Sequence, residues 1–175
     1  MIVFQLLLKL FLNLKNNRMK FCKILTIVVF VFFFSGNISA QSENEANIKK
    51  VIKLFFKGLQ SGDTITIKKT IANDAILQTT FINKEGESIL RTEDFNKFLK
   101  SVASKKPEDT WVEKLLSYNI QVDGNMANVW TPYEFYLNYD FSHCGVNSFQ
   151  LFFDGEKWII IYLIDTRRRL GCKKL

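Results

Sequence analysis

The sequence predicts an α+β domain: a long N-terminal helix with a strongly curved antiparallel sheet wrapped around it as a cone with an internal pocket. Three observations carry that prediction. A stretch near residue 48 repeats its apolar residues at helical spacing. From Trp111 onward the apolar period changes to two. The late segments, rich in aromatic and β-branched residues, are separated by turns too short for anything but antiparallel neighbours.

Residues 1–40 stand outside the fold. From Met19 the chain has a basic start (Lys20, Lys23), an apolar stretch from Ile24 to Phe34, and the small-residue pattern Ile38-Ser39-Ala40 before Gln41. That is the build of an export signal. Its apolar stretch is short against the roughly 20 residues a spanning helix needs. The expectation is cleavage near Ala40 and release into a periplasmic or extracellular space, with membrane contact only through residues 19–40. Residues 1–18 lie upstream of a complete signal, so Met19 competes with Met1 as the true start.

Cleavage changes the charge argument. Five of the 24 Lys+Arg (Lys9, Lys15, Arg18, Lys20, Lys23) precede residue 41, whereas all 17 Asp+Glu follow it, so residues 41–175 carry 19 basic and 17 acidic groups. The net charge falls from +7 to +2, which removes the argument for a nucleic-acid partner. The remaining length suits one domain. Two of the three cysteines remain, Cys144 and Cys172. In an oxidising compartment they are a candidate disulfide; the alternative is a buried Cys144 and a free Cys172 on the tail.

Each element has a local cause. Ser42 and Glu45 have capping-box spacing. Behind them Ile48, Ile52, Phe55 and Leu59 share a helix face, with Lys49, Lys50, Lys53 and Lys57 around the rest. Ser61-Gly62 ends that helix, and Asp63 starts a short second one within 63–72. Ala75 to Ile82 alternates as a first strand, turning at Asn83-Lys84-Glu85-Gly86. Thr92 is the expected cap of a third helix presenting Phe95, Phe98, Leu99 and Val102. Strands follow at about 112–122, 126–138, 141–153 and 157–166.

This order, with IKKVIKLFFKGLQSGD, NDAIL, MANVWTPYEFYL and GEKWIIIYLIDTRR, resembles the nuclear-transport-factor-2-like superfamily over residues 43–169. The likeness is strongest to its exported polyketide-cyclase-like and putative lumazine-binding branches. It implies a cystatin-like α+β barrel, a small-molecule pocket, chemistry without a cofactor where there is chemistry, and frequently a homodimer. It does not fix a reaction.

Alternation sorts the strands into faces. His143, Gly145, Asn147, Phe149 and Leu151 share one face, Ala127, Val129, Thr131, Tyr133 and Phe135 another, and Tyr118, Ile120 and Val122 a third. Directed inward, they give a pocket lined by Tyr118, Thr131, Tyr133, His143 and Asn147. The leading expectation is a binding domain for a small ligand of unknown identity. The alternative is a dehydratase or isomerase with His143 as base and Tyr118 or Tyr133 as electrophilic partner. Enzymes of the superfamily that use a histidine pair it with a carboxylate, and no carboxylate falls on the same face here.

Asp165 takes the parity of Ile159, Ile161 and Leu163, opposite Trp158, and reads as an outer ion pair with Arg167. Those same residues make the last strand apolar on both faces, so the convex side is expected to be covered, by a second copy in the favoured reading or by a folded-back C-terminal tail. A third reading makes that convex sheet an interaction surface over a filled cone. His143 and Cys144, being consecutive on a strand, cannot form a thiol–imidazole pair. One histidine and two distant cysteines offer no metal-ligand spacing.

Overall fold

The structure, a computed structural model, describes residues 42–172; the expected signal segment lies outside them. Helix α1 spans 42–61. Ile48, Ile52 and Phe55 are fully buried and Phe56 nearly so, while Lys50, Lys53 and Lys57 remain exposed. Each large apolar side chain so buried stabilises the fold by about 1.5–3 kcal/mol. The helix stops where Gly62 takes φ 74°, and Asp63 caps α2 (Thr64–Lys68) by accepting from the Ile65 and Thr66 N–H groups.

Seven strands follow: β1 (Ile71–Ile82), β2 (Ser88–Glu93), β3 (Trp111–Leu115), β4 (Asn119–Asp123), β5 (Met126–Leu137), β6 (Asp140–Phe153) and β7 (Trp158–Arg167), with α3 (Phe95–Ala103) between β2 and β3. They form one sheet in the order β2-β1-β7-β6-β5-β3, and β4 also pairs with β5. The sheet is curled rather than closed. It is mixed, because β1 runs parallel to β7 while every other pairing is antiparallel. Ile52, Phe55 and Phe56 pack with Val129, Phe149, Leu151, Trp158 and Ile160 in a single core. Phe149 meets Phe55 and Phe56 edge-on, at centroid separations of 6.4 and 6.0 Å.

Three local expectations are corrected. Residues 88–93 form an edge strand that includes Thr92, so Asp94 rather than Thr92 caps α3 by accepting from Lys97 N–H at 2.8 Å. The expected strand 112–122 is two strands, interrupted at 116–118. In β7 the pairing passes from Leu151↔Ile160 to Gln150↔Tyr162, leaving Ile161 unmatched. This β-bulge reverses the side-chain alternation beyond it. Leu163 therefore packs against the core and Asp165 is buried, while Ile161 (39 % exposed) and half-buried Ile159 stay on the outside.

Cys144 and Cys172 are joined by a disulfide, with Cα atoms 5.9 Å apart. The backbones of Cys144 and Arg168 exchange two hydrogen bonds, at 2.9 and 3.0 Å. The tail beyond β7 is thereby held on β6.

Candidate functional site

At the wide end of the cone lies a cavity of about 340 Å³. Its walls are apolar: Phe55, Phe56 and Leu59 from α1, Phe98 from α3, and Trp111, Phe135, Leu137 and Leu163 from the sheet. Its polar groups are few and belong to three adjoining strands and β3: Glu113, Tyr133, His143, Asn147, Asp165 and Arg167. An apolar wall with a few convergent polar groups is the usual build of a small-ligand site.

Two buried networks organise the polar end. Asp165 Oδ1 accepts from Thr79 Oγ1 at 2.6 Å, and its Oδ2 accepts from Tyr133 Oη at 3.0 Å and Arg167 Nε at 2.8 Å. Tyr133 Oη also lies 3.0 Å from the Thr166 carbonyl oxygen. Its proton is thus engaged within the protein. Burial, reinforced by the neighbouring Asp165 carboxylate, raises the Tyr133 pKa well above the ordinary phenol range.

In the second network Asn147 Nδ2 donates to Glu113 Oε1 at 2.7 Å. Burial raises the Glu113 pKa to about 8; the Asp165 charge adds to that, and the Asn147 hydrogen bond opposes it. Glu113 is therefore a neutral acid at pH 7, carrying a proton it can donate to a ligand.

His143 stands between the cavity and its mouth. Its ring lies 5.0 Å from the Phe135 ring and 5.8 Å, edge-on, from that of Tyr133, and Nδ1 is 3.0 Å from Ser142 Oγ. Burial and the positive charge of Arg167 lower its pKa to about 4, so the imidazole is neutral at physiological pH.

The residues expected in the pocket divide. Tyr133, His143 and Asn147 line this cavity. Thr131 shares their face but is fully buried, and its hydroxyl has no hydrogen-bond partner among the described residues. Tyr118 borders a separate shallow groove with Lys53, Lys57 and Gln60, and Lys49 Nζ sits 6.0 Å from its ring centroid.

Two carboxylates that alternation placed outside the cone, Glu113 and Asp165, are in it. The break at 116–118 and the bulge at Ile161 each shift parity by one. In the sequence, the only trace of Glu113 was its place in a strand otherwise alternating cleanly. Among the described residues, no three His, Cys, Asp or Glu side chains converge closely enough to hold a metal ion.

A helix lying in a curled mixed sheet whose open end holds such a cavity defines the nuclear-transport-factor-2-like fold. Solved structures agree. The chain is similar to a function-unknown protein from Mycobacterium tuberculosis (TM-score 0.62, 13 % identity, 79 % of this chain and 79 % of that one). It is also similar to an NTF2-like protein of unknown function from Silicibacter pomeroyi DSS-3 (TM-score 0.56, 16 % identity, 73 % and 98 % covered). The association domain of C. elegans CaMKII has the same fold (TM-score 0.54, 13 % identity, 72 % and 97 % covered).

The family described as putative lumazine-binding matches residues 43–161, and the chain belongs to that family. No curated protein matches the chain significantly.

Proposed function

We propose that this domain binds a small, partly apolar molecule inside the cone. The observation that carries the reading is the 340 Å³ cavity, apolar on its walls and ended by Glu113, His143, Asn147 and Arg167. A ligand there gains by leaving water, at roughly 25 cal/mol per Å² of apolar surface. The protonated Glu113 and the neutral His143 then select a partner with a carbonyl or ring nitrogen over a cation. Membership of a family named for lumazine binding supports a heterocyclic ligand of this kind.

The test is a thermal-shift screen of uncharged aromatic and heteroaromatic compounds against the wild type and Leu163→Phe, whose larger side chain narrows the cavity. The reading expects compounds that stabilise the wild type and not the variant. A screen in which no compound separates the two proteins would end it.

A second reading is a cofactor-free isomerase or dehydratase. It is favoured by two carboxylates, Glu113 and Asp165, that line the same cavity as His143 without hydrogen-bonding its ring, whose partner is Ser142. Glu113 would then serve as acid and His143 as base, with Tyr133 supporting Asp165. If His143→Ala and Glu113→Gln both left an identified turnover unchanged, this reading would be abandoned.

Two further parts of the proposal concern the whole chain. The N-terminal pattern ending at Ala40 supports export, and amino-terminal sequencing of the mature protein, starting at Gln41, checks it. Exposed Trp130 (51 %), Phe152 (42 %) and Ile161 (39 %) support self-association through the convex face. Light scattering that stays monomeric at high concentration would remove that part.

A further inference from the structure

Below the cone's mouth lies a second, open basin of about 780 Å³, lined by Phe81, Ile82, Leu170, His143 and four arginines: Arg91, Arg167, Arg168 and Arg169. No acidic residue lines it. Arg167 is neutralised by Asp165 at 2.8 Å, and Arg91 has only a 3.9 Å contact with Glu93. Among the described residues neither Arg168 nor Arg169 forms an ion pair.

The backbone that carries Arg168 and Arg169 is held in place. The register Asn147↔Asp165 continues to the Cys144↔Arg168 bridge, which sets Arg169 opposite His143. Beyond it, the Cys144–Cys172 disulfide fixes the far end, so residues 169–171 are tethered on both sides. Arg91 enters from β2, with its guanidinium carbon 5.7 Å from the Phe81 ring centroid. Basin and cavity share His143 and Arg167. A molecule lying in the cone can continue past His143 and Arg167 into positive charge.

We propose that the arginine basin receives the anionic end, a carboxylate, sulfonate or phosphate, of the molecule whose apolar body occupies the cone. The ligand is an amphipathic anion. This rests on the cone-binding reading above and narrows it. Guanidinium groups suit the task because they present planar, paired donors to such oxygens and keep their charge at any physiological pH.

A matched pair of fluorescent probes separates the two claims: N-phenyl-1-naphthylamine, which is neutral, and 8-anilinonaphthalene-1-sulfonate, the same ring system with a sulfonate. Both are titrated into residues 41–175 with the disulfide intact, then into Arg91→Gln/Arg169→Gln.

The proposal expects the sulfonate to bind one-to-one and roughly tenfold tighter than the neutral probe, as two partly exposed charge contacts allow, and the probes to compete. Raising the salt should erode that preference. The double variant should weaken the sulfonate roughly tenfold and leave the neutral probe unchanged. Equal affinities that the arginine substitutions do not touch would overturn the basin while leaving the cone. Failure of both probes to bind would overturn the cone reading itself. Sulfonate binding that the neutral probe does not displace would overturn the joined site.

Discussion

Glu113→Gln should make the protein more stable, and only above acid pH. In the folded state Glu113 holds its proton to about pH 8, against an ordinary 4.5, chiefly because its carboxyl is buried. A group with a raised folded pKa favours folding fully below its unfolded pKa and loses that contribution as pH climbs towards the folded one. At about 1.36 kcal/mol per pH unit, the wild type loses about 3 kcal/mol from this group between pH 4.5 and pH 7, and about 4 by pH 9. Glutamine keeps the acceptor for Asn147 Nδ2, now 2.7 Å from Glu113 Oε1, and has nothing to titrate. Urea unfolding of both proteins at pH 4.5, 7 and 9 reads the difference directly. Stabilities that stay parallel across the range would refute the burial argument and, with it, a protonated Glu113 in the cavity.

His143 gives the opposite slope. Its folded pKa of about 4 lies below the ordinary 6.5, so the unfolded chain takes up its proton first and stability falls as pH drops from about 6.5 to 4. As the chain's single histidine, it can be followed by NMR of the imidazole protons, and a midpoint near 6.5 would contradict its burial. Gly145→Ala should cost about 2–3 kcal/mol or prevent folding, because a Cβ there would overlap the Thr166 carbonyl oxygen and stand 2.8 Å from Tyr133 Cε1; chemical denaturation measures it. Tyr133→Phe should lose about 1–3 kcal/mol, since Asp165 then keeps only Thr79 and Arg167 as partners; a cost near zero would mean the Asp165 network is solvated.

Much of this fold was legible because its elements follow simple periods. Ile48, Ile52 and Phe55 recur at helical spacing and are buried. The inward set of β6, from Gly145 through Asn147 and Phe149 to Leu151, obeys strict alternation and is buried throughout. What escaped the sequence were departures from the period. Strand β2 lies at the sheet's edge with four of its six residues exposed, so it carries no apolar pattern to detect. The interruption at 116–118 and the unmatched Ile161 each move later side chains to the other face.

Those two irregularities hid Glu113 and Asp165, the carboxylates that give the cavity its chemistry. Local composition does not announce either one. A bulge is fixed by pairing with the neighbouring strand, which is non-local information. The same bulge removes Leu163 from the convex face, so the argument for a covered outer surface now rests on Ile161 and its neighbours on β5 and β6.

The most direct test of the central claim, a molecule held in the cone, is native mass spectrometry of residues 41–175 purified from the cells that produce it, first under non-denaturing and then under denaturing conditions. The account predicts an added small-molecule mass that disappears on denaturation and is absent from Leu163→Phe. A bare mass for the wild type, unchanged after incubation with cell extract, would contradict it.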